Sequence, residues 1–301
     1  MRSTSSRFLS SMLAAPAASV AGLIVLLLAL AAFAAPPFLA DPFNPMNASL
    51  LDAFTPPAFL PNGLPAFPLG TDDQGRDMLV AMAFGLRTSI LIGVSSVAIG
   101  LLVGVSLGLL AGFAGGKIDA LIMRIADVQL AYPALLLAMI IDGSVRSAFG
   151  ALIDVRVSVA IVIVSIGFAF WVQYARTIRS SVLVERGQDY VAAARVTGRS
   201  GLAIALLHIL PNVMAPVLVI ATINLGIAII TEATLSFLGI GLPLTHASLG
   251  TLIRNGNNFL QSGEWWISVW PCALLVIFVV AVNVLGDHLR DVFNPKLRRR
   301  R

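Results

Sequence analysis

Five stretches of this chain run without a charge for about the length a helix needs to cross a bilayer: Ala17–Ala35, Ser89–Ala114, Val157–Ala175, Ile209–Thr231 and Trp265–Gly286. A hydrocarbon core takes about 20 apolar residues per helix. Backbone inside lipid must satisfy its own hydrogen bonds, so such runs fold as helices. Composition agrees: 58% of the 301 residues are hydrophobic and 12% charged, a balance that excludes an ordinary water-soluble domain.

A sixth run, Val128–Ile141, is short and bounded by Asp127 and Asp142. Its spacing predicts a helix that starts earlier and passes Arg124 and Asp127 near a headgroup layer, where the two pair at i,i+3. The chain therefore reads as an all-α, polytopic membrane protein with six transmembrane helices.

The net charge of +5 would suggest nucleic acid in a soluble protein. Here the placement of Lys and Arg fixes topology instead, and membrane lipid, not nucleic acid, is the expected surrounding. With both termini cytoplasmic, the inside segments hold Arg2, Arg7, Lys117, Arg124, Arg176, Arg179, Arg186, Arg195, Arg199, Arg290, Lys296 and Arg298–Arg301. Only Arg76, Arg87, Arg146, Arg156 and Arg254 fall outside. The predicted order is a cytoplasmic segment 1–16, a first transmembrane helix 17–35 and an extracytoplasmic loop 36–88. A five-helix core 89–288 follows, containing a cytoplasmic loop 176–208, and a basic cytoplasmic tail 289–301 closes the chain.

Ala32-Phe33-Ala34 loosely resembles a signal-peptidase site, but the apolar run from Ala17 is longer than a usual signal core and is expected to stay as an anchor. The segment after it is rich in proline and ends in Leu69–Ser89, where Asp72, Asp73 and Asp77 are placed to pair with Arg76 or Arg87. The alternating aspartates and terminal glutamate of a calcium loop are absent, which leaves a hydrogen-bonded cap on the second helix. In that helix Ser96, Gly100, Gly104, Gly108 and Gly112 recur every four residues, a stripe of small side chains suited to close helix packing.

Gly115-Gly116-Lys117 lacks the flanking Gly and Ser or Thr of a phosphate loop, so the sequence carries no nucleotide fingerprint. Cys272 is the only cysteine, so no intrachain disulfide or thiolate cluster forms. His246 and His288 read as ordinary polar residues with no metal-ligand spacing. Glu232, at the end of the fifth run, is expected to make a structural hydrogen bond near the outer interface. Trp265, Trp266 and Trp270 suit an aromatic belt where the last helix enters the membrane.

The stretch Asp189–Pro211, DYVAAARVTGRSGLAIALLHILP, interrupts this apolar pattern. Asp189 is placed to cap a helix starting at Tyr190, Gly198 to supply the left-handed residue that ends it, and Ser200 to cap a second helix. A helix–turn–helix elbow follows, in which Ala192, Ala193 and Ala194 favour close approach to another surface. The five arginines from Arg176 to Arg199 call for anionic headgroups or an acidic partner surface.

Asp189-Tyr190-Val191-Ala192-Ala193-Ala194-Arg195, Gly198 and His208-Ile209-Leu210-Pro211 together resemble the cytoplasmic coupling motif of permease subunits of ATP-binding-cassette importers of the dipeptide/oligopeptide type. LGTDDQGRD from Leu69, GGKIDALIMRIAD from Gly115, EATLSFLGIG from Glu232 and NVLGDHLRDVFNP from Asn283 support the likeness. Ala192 stands where the general motif has Glu, and His208 where it has Ile. A Glu-based contact is therefore not carried over.

The resemblance implies a bacterial inner-membrane subunit that is not itself an enzyme. Its partners would be a homologous second permease, two cytoplasmic ATPases that bind ATP and Mg, and an extracytoplasmic solute-binding protein. Asp189, Tyr190, Ala193, Ala194, Arg195, Gly198, His208, Leu210 and Pro211 would couple it to the ATPases. The implied cargo is a di- or oligopeptide, with a nickel chelate or glutathione as alternatives. An ion-coupled transporter would need intramembrane ionisable groups and inverted repeats, and a membrane hydrolase would need a catalytic constellation; neither pattern is evident.

Overall fold

A computed structural model describes residues 15–44, 47, 49–149 and 154–293. Nine α-helices account for most of the described residues: α1 (Pro16–Ala34), α2 (Met78–Ala114), α3 (Gly116–Leu130), α4 (Ala134–Phe149), α5 (Val155–Glu185), α6 (Asp189–Val196), α7 (Gly201–Phe237), α8 (Leu249–Asn257) and α9 (Trp266–Phe293). Five of them, α1, α2, α5, α7 and α9, are each long and apolar enough to cross a membrane, and α3 with α4 makes a sixth crossing if the bent pair is one span. The helix expected at Ser89 begins earlier, at Met78, where the Asp77 carboxylate accepts from Leu79 N at 2.8 Å.

The small-residue stripe of α2 lies against α5 in parallel register. A Cβ on Gly100 would sit 2.8 Å from Gly167 O, one on Gly104 2.4 Å from Trp171 O, and one on Gly108 2.4 Å from Ala175 O. Each four-residue step on α2 thus meets a four-residue step on α5. Gly112 meets the Val182 side chain, and Ser96 is fully buried, with its carbonyl facing Gly167. Glycine is required here because backbone packs on backbone.

The remaining spans alternate in direction. Gly93 of α2 faces Ile229 of α7, and Gly226 of α7 faces Asn283 of α9. Helix α1 packs on α9 and α2 through Ala32, Leu86, Ile90, Phe278, Val279 and Val282. Seen along the bundle, one end carries the segment 36–77 and the short helix α8. The other carries the elbow.

Two sequence expectations change at the third crossing. The run around Val128 is not one straight helix: α3 stops at Leu130 and α4 restarts at Ala134 with a 94° bend. Pro133 explains the break, because it lacks an N–H and disfavours helical backbone at Tyr132. Asp127 does not pair with Arg124 either; it pairs across to Arg176 of α5. Asp119 likewise holds Arg179 of α5, and Gln129 takes Trp171 Nε1 at 2.6 Å.

The described residues of the segment 36–77 form a structured cap rather than a linker. Thr71 Oγ1 donates to Asp52 O at 2.6 Å, and the Asp72 carboxylate accepts from Gln74 N and Arg76 N and pairs with Arg76 Nε at 2.8 Å. The Arg76 guanidinium lies 4.4 Å over the Phe43 ring. Burial pushes the Asp72 carboxyl above its ordinary range, against the lowering pull of Arg76 and the backbone donors.

Trp266 is nearly buried and donates to Thr71 O at 3.0 Å, while Asn255 of α8 donates to Asp73 at 2.6 Å. Trp265 packs edge-on to Trp266 and near Trp270. The tryptophan cluster therefore pins the cap to the bundle, where the sequence suggested a belt facing lipid. Arg87 faces the Phe33 ring of α1 at 6.0 Å.

Candidate functional site: the elbow and its junction with α7

Helix α6 begins at Asp189 itself, with Gln188 as the capping residue and no side-chain cap. Asp189 thus occupies the first turn instead of the cap position. There its charge still complements the helix dipole, as Arg195 does in the last turn. Gly198 ends the helix at φ +73°, and Arg199 N–H reaches back to Ala194 O at 3.2 Å. The left-handed turn closes the carbonyl end without a Cβ penalty. Ser200 Oγ then accepts from Ala203 N at 3.3 Å and starts α7.

The first part of α7, Ile204–Ile209, is wound as a π turn, with Leu210 N–H bonded to Ala205 O. Pro211 supplies a physical reason: with no N–H, it leaves the Leu207 carbonyl without its helical donor and permits the wider turn. Asn212 Nδ2 donates to His208 O at 3.0 Å and occupies that acceptor. His208 Nδ1 lies 3.5 Å from Ala203 O. Through this turn the elbow continues into a transmembrane helix with no intervening loop.

The elbow has two faces. Val191, Ala194, Ile204, Ala205 and Ile209 are buried in one cluster with Val182 of α5, with Tyr190 and Leu210 partly buried beside them. Tyr190 also donates to Glu185 Oε2 of α5 at 2.7 Å, and burial raises its hydroxyl pKa. Ala194 is 8% exposed. Its small side chain therefore serves closeness inside the elbow, whereas Ala192, Ala193, Arg195 and Pro211 face outward.

Two apolar residues that sequence reasoning passed over share the exposed side, Val196 at 89% and Leu202 at 71%. Val196 carried a signal, as an isolated apolar residue between Arg195 and Thr197, whereas Leu202 opens the apolar run that leads into the span and had none. The arginines divide too. Arg176 and Arg179 are held by Asp127 and Asp119, and Arg186 Nη1 donates to Gly112 O at 3.0 Å. The expectation that all five need an external anion is corrected accordingly.

A second polar focus lies at the opposite end of α7. Glu232 is fully buried and accepts from Ser89 Oγ at 2.7 Å and Ser236 Oγ at 2.9 Å. Ser89 Oγ in turn accepts from Leu249 N, and Ser236 Oγ from Leu242 N. The carboxylate thereby fastens α2, α7 and the start of α8. Among the described residues, no cluster of His, Cys, Asp and Glu has the makings of a metal site.

The protein-family model for the binding-protein-dependent transport system inner membrane component matches residues 104–299, the elbow included. The chain belongs to that family. It is 38% identical over 280 residues to the di/tripeptide transport system permease protein DppC of Pseudomonas aeruginosa, covering 93% of this chain and 88% of that one. It is 36% identical over 282 residues to the oligopeptide transport system permease protein OppC of Bacillus subtilis, covering 94% and 86%. Among solved structures, inward-facing MetNI methionine ABC transporter chains share the fold, with a TM-score of 0.54 at 21% identity over 72% of this chain and 98% of that one.

Proposed function

We infer that this chain is the permease subunit of an ATP-driven importer, forming half of a path for di- or oligopeptides delivered by an extracytoplasmic binding protein. The observation that carries the substrate class is similarity along nearly the whole chain to permeases named for dipeptide, di/tripeptide and oligopeptide transport. A homologous second permease would complete the path, and two cytoplasmic ATPases would hold ATP and Mg. The Lys and Arg distribution supports an elbow and both termini in the cytoplasm of a bacterial inner membrane.

In this reading the exposed side of the elbow, Ala192, Ala193, Arg195, Val196 and Leu202, seats in the ATPase. Asp189, Tyr190, Ala194 and Gly198 hold its shape, and His208, Leu210 and Pro211 transmit its displacement to α7. ATP binding closes the ATPase pair and carries the two elbows together; the rigid joint passes that motion to the spans. Hydrolysis in the partner subunits resets the path inward.

The test separates docking from folding. Ala193→Glu should leave membrane abundance unchanged while ATPase stimulation and peptide uptake are lost. Ala194→Glu should lower abundance, because it buries a charge in the elbow core. Normal stimulation and uptake in Ala193→Glu would sink the docking role.

A further inference from the structure

The third crossing is where the chain breaks within the apolar region. Its depth can be read from α5: Gln129 Nε2 donates to Phe168 O at 2.9 Å and Ala169 O at 3.3 Å. The charge-free run of α5, Val157–Ala175, is centred on Ile166, so these carbonyls lie only about 3–5 Å along the axis from its middle at 1.5 Å per residue. The break therefore starts near mid-depth.

Ala131, Tyr132, Pro133 and Ala134 are all exposed, Tyr132 at 55%. Among the described residues, the carbonyls of Leu130, Ala131 and Tyr132 accept no hydrogen bond, and the Tyr132 hydroxyl makes none. Gln129 is not free to help, since its amide is spent on α5 and its carbonyl oxygen on Trp171. Acyl chains offer these groups nothing. Non-helical backbone at membrane depth persists only where protein buries it or where it borders water.

We propose that the Ala131–Ala134 break lines the water-filled translocation path and presents the carbonyls of Leu130, Ala131 and Tyr132 to the N–H donors of a passing peptide. An extended peptide offers such donors at regular spacing, whatever its side chains. The proposal rests on the import function inferred above. Gln129 acts as a positioning residue that fixes the break to α5.

The experiment uses the assembled transporter in lipid nanodiscs with Cys272→Ser as parent. Single Tyr132→Cys and Ala134→Cys variants are treated with a charged, membrane-impermeant methanethiosulfonate, with Leu26→Cys on the lipid-exposed side of α1 as reference. A thiol must ionise to react and does so only where water reaches it, so both sites should react at least about tenfold faster than Leu26→Cys. A saturating dipeptide supplied with its binding protein should slow both. Rates equal to Leu26→Cys, both without nucleotide and in the vanadate-trapped state, would mean that a second permease covers the break and would overturn the proposal. Rapid labelling that peptide does not slow would overturn the peptide contact. Absence of ATP-dependent dipeptide uptake by the unsubstituted transporter would count against the import reading, while the labelling rates would still report whether water reaches the break.

Discussion

Adding one methyl group to α2 tests how tightly its glycine stripe is held against α5. In Gly108→Ala the new Cβ would meet Ala175 O at 2.4 Å, Ala175 Cα at 2.9 Å and Ala175 C at 3.0 Å. Ordinary contact begins near 3.4 Å, so the oxygen is about 1 Å too close. All three atoms are backbone, so no side-chain rotation relieves the clash and the helices must separate. Overpacking of this kind costs about 1–3 kcal/mol. The better helix propensity of alanine returns about 0.5–1 kcal/mol. With the rigid obstacle placing the cost at its upper end, the net loss is about 2 kcal/mol, or ~3 °C in melting temperature for a chain of 301 residues.

The matched control is Gly143→Ala in α4, where a Cβ meets nothing within 4 Å. It should gain about 0.5–1 kcal/mol from propensity alone. Thermal unfolding of the two variants in one detergent gives opposite signs if packing governs. Equal melting temperatures would refute the reasoning.

Glu232→Ala should lower stability by about 2–4 kcal/mol, because it leaves the Ser89 and Ser236 hydroxyls without an acceptor and opens a cavity. Glu232→Gln should cost less than half of that, read by the same melts. Trp266→Phe removes the donor to Thr71 O and should cost about 1–2 kcal/mol, with faster proteolysis inside 36–77 as the local readout. His246 lies outside the spans, and burial holds its imidazole below the ordinary 6.5, against the raising influence of Asp41. Its folded pKa is therefore the lower one, so stability is full above about 6.5 and falls as pH drops through that value toward the folded pKa. His246→Asn should flatten that part of a melting-temperature profile taken between pH 5 and 7.

Much of the architecture was legible because its signals are local. Charge-free runs gave five spans, the four-residue repeat from Ser96 to Gly112 marked one face of α2 for close packing, and Gly198 and Ser200 marked the elbow turn. The break at Pro133 also had a signal in the proline itself, which a reading of Val128–Ile141 by its charge-free length passes over. Partner choice was not legible. Asp127 had Arg124 three residues away, yet the fold offers Arg176 from α5. The inward face of Ala194 likewise depends on where α5 and the π turn lie, which no spacing within DYVAAAR encodes. Trp266 could be placed near an interface from sequence, but its bond to Thr71 joins segments 195 residues apart.

The most direct test of the import function is uptake of a labelled dipeptide into proteoliposomes carrying this permease with its second permease and ATPases, with the binding protein added outside. The account predicts accumulation that requires enclosed ATP, the ATPases and the binding protein, and that survives collapse of every ion gradient. Uptake that proceeds without ATP and follows a proton or sodium gradient would contradict it.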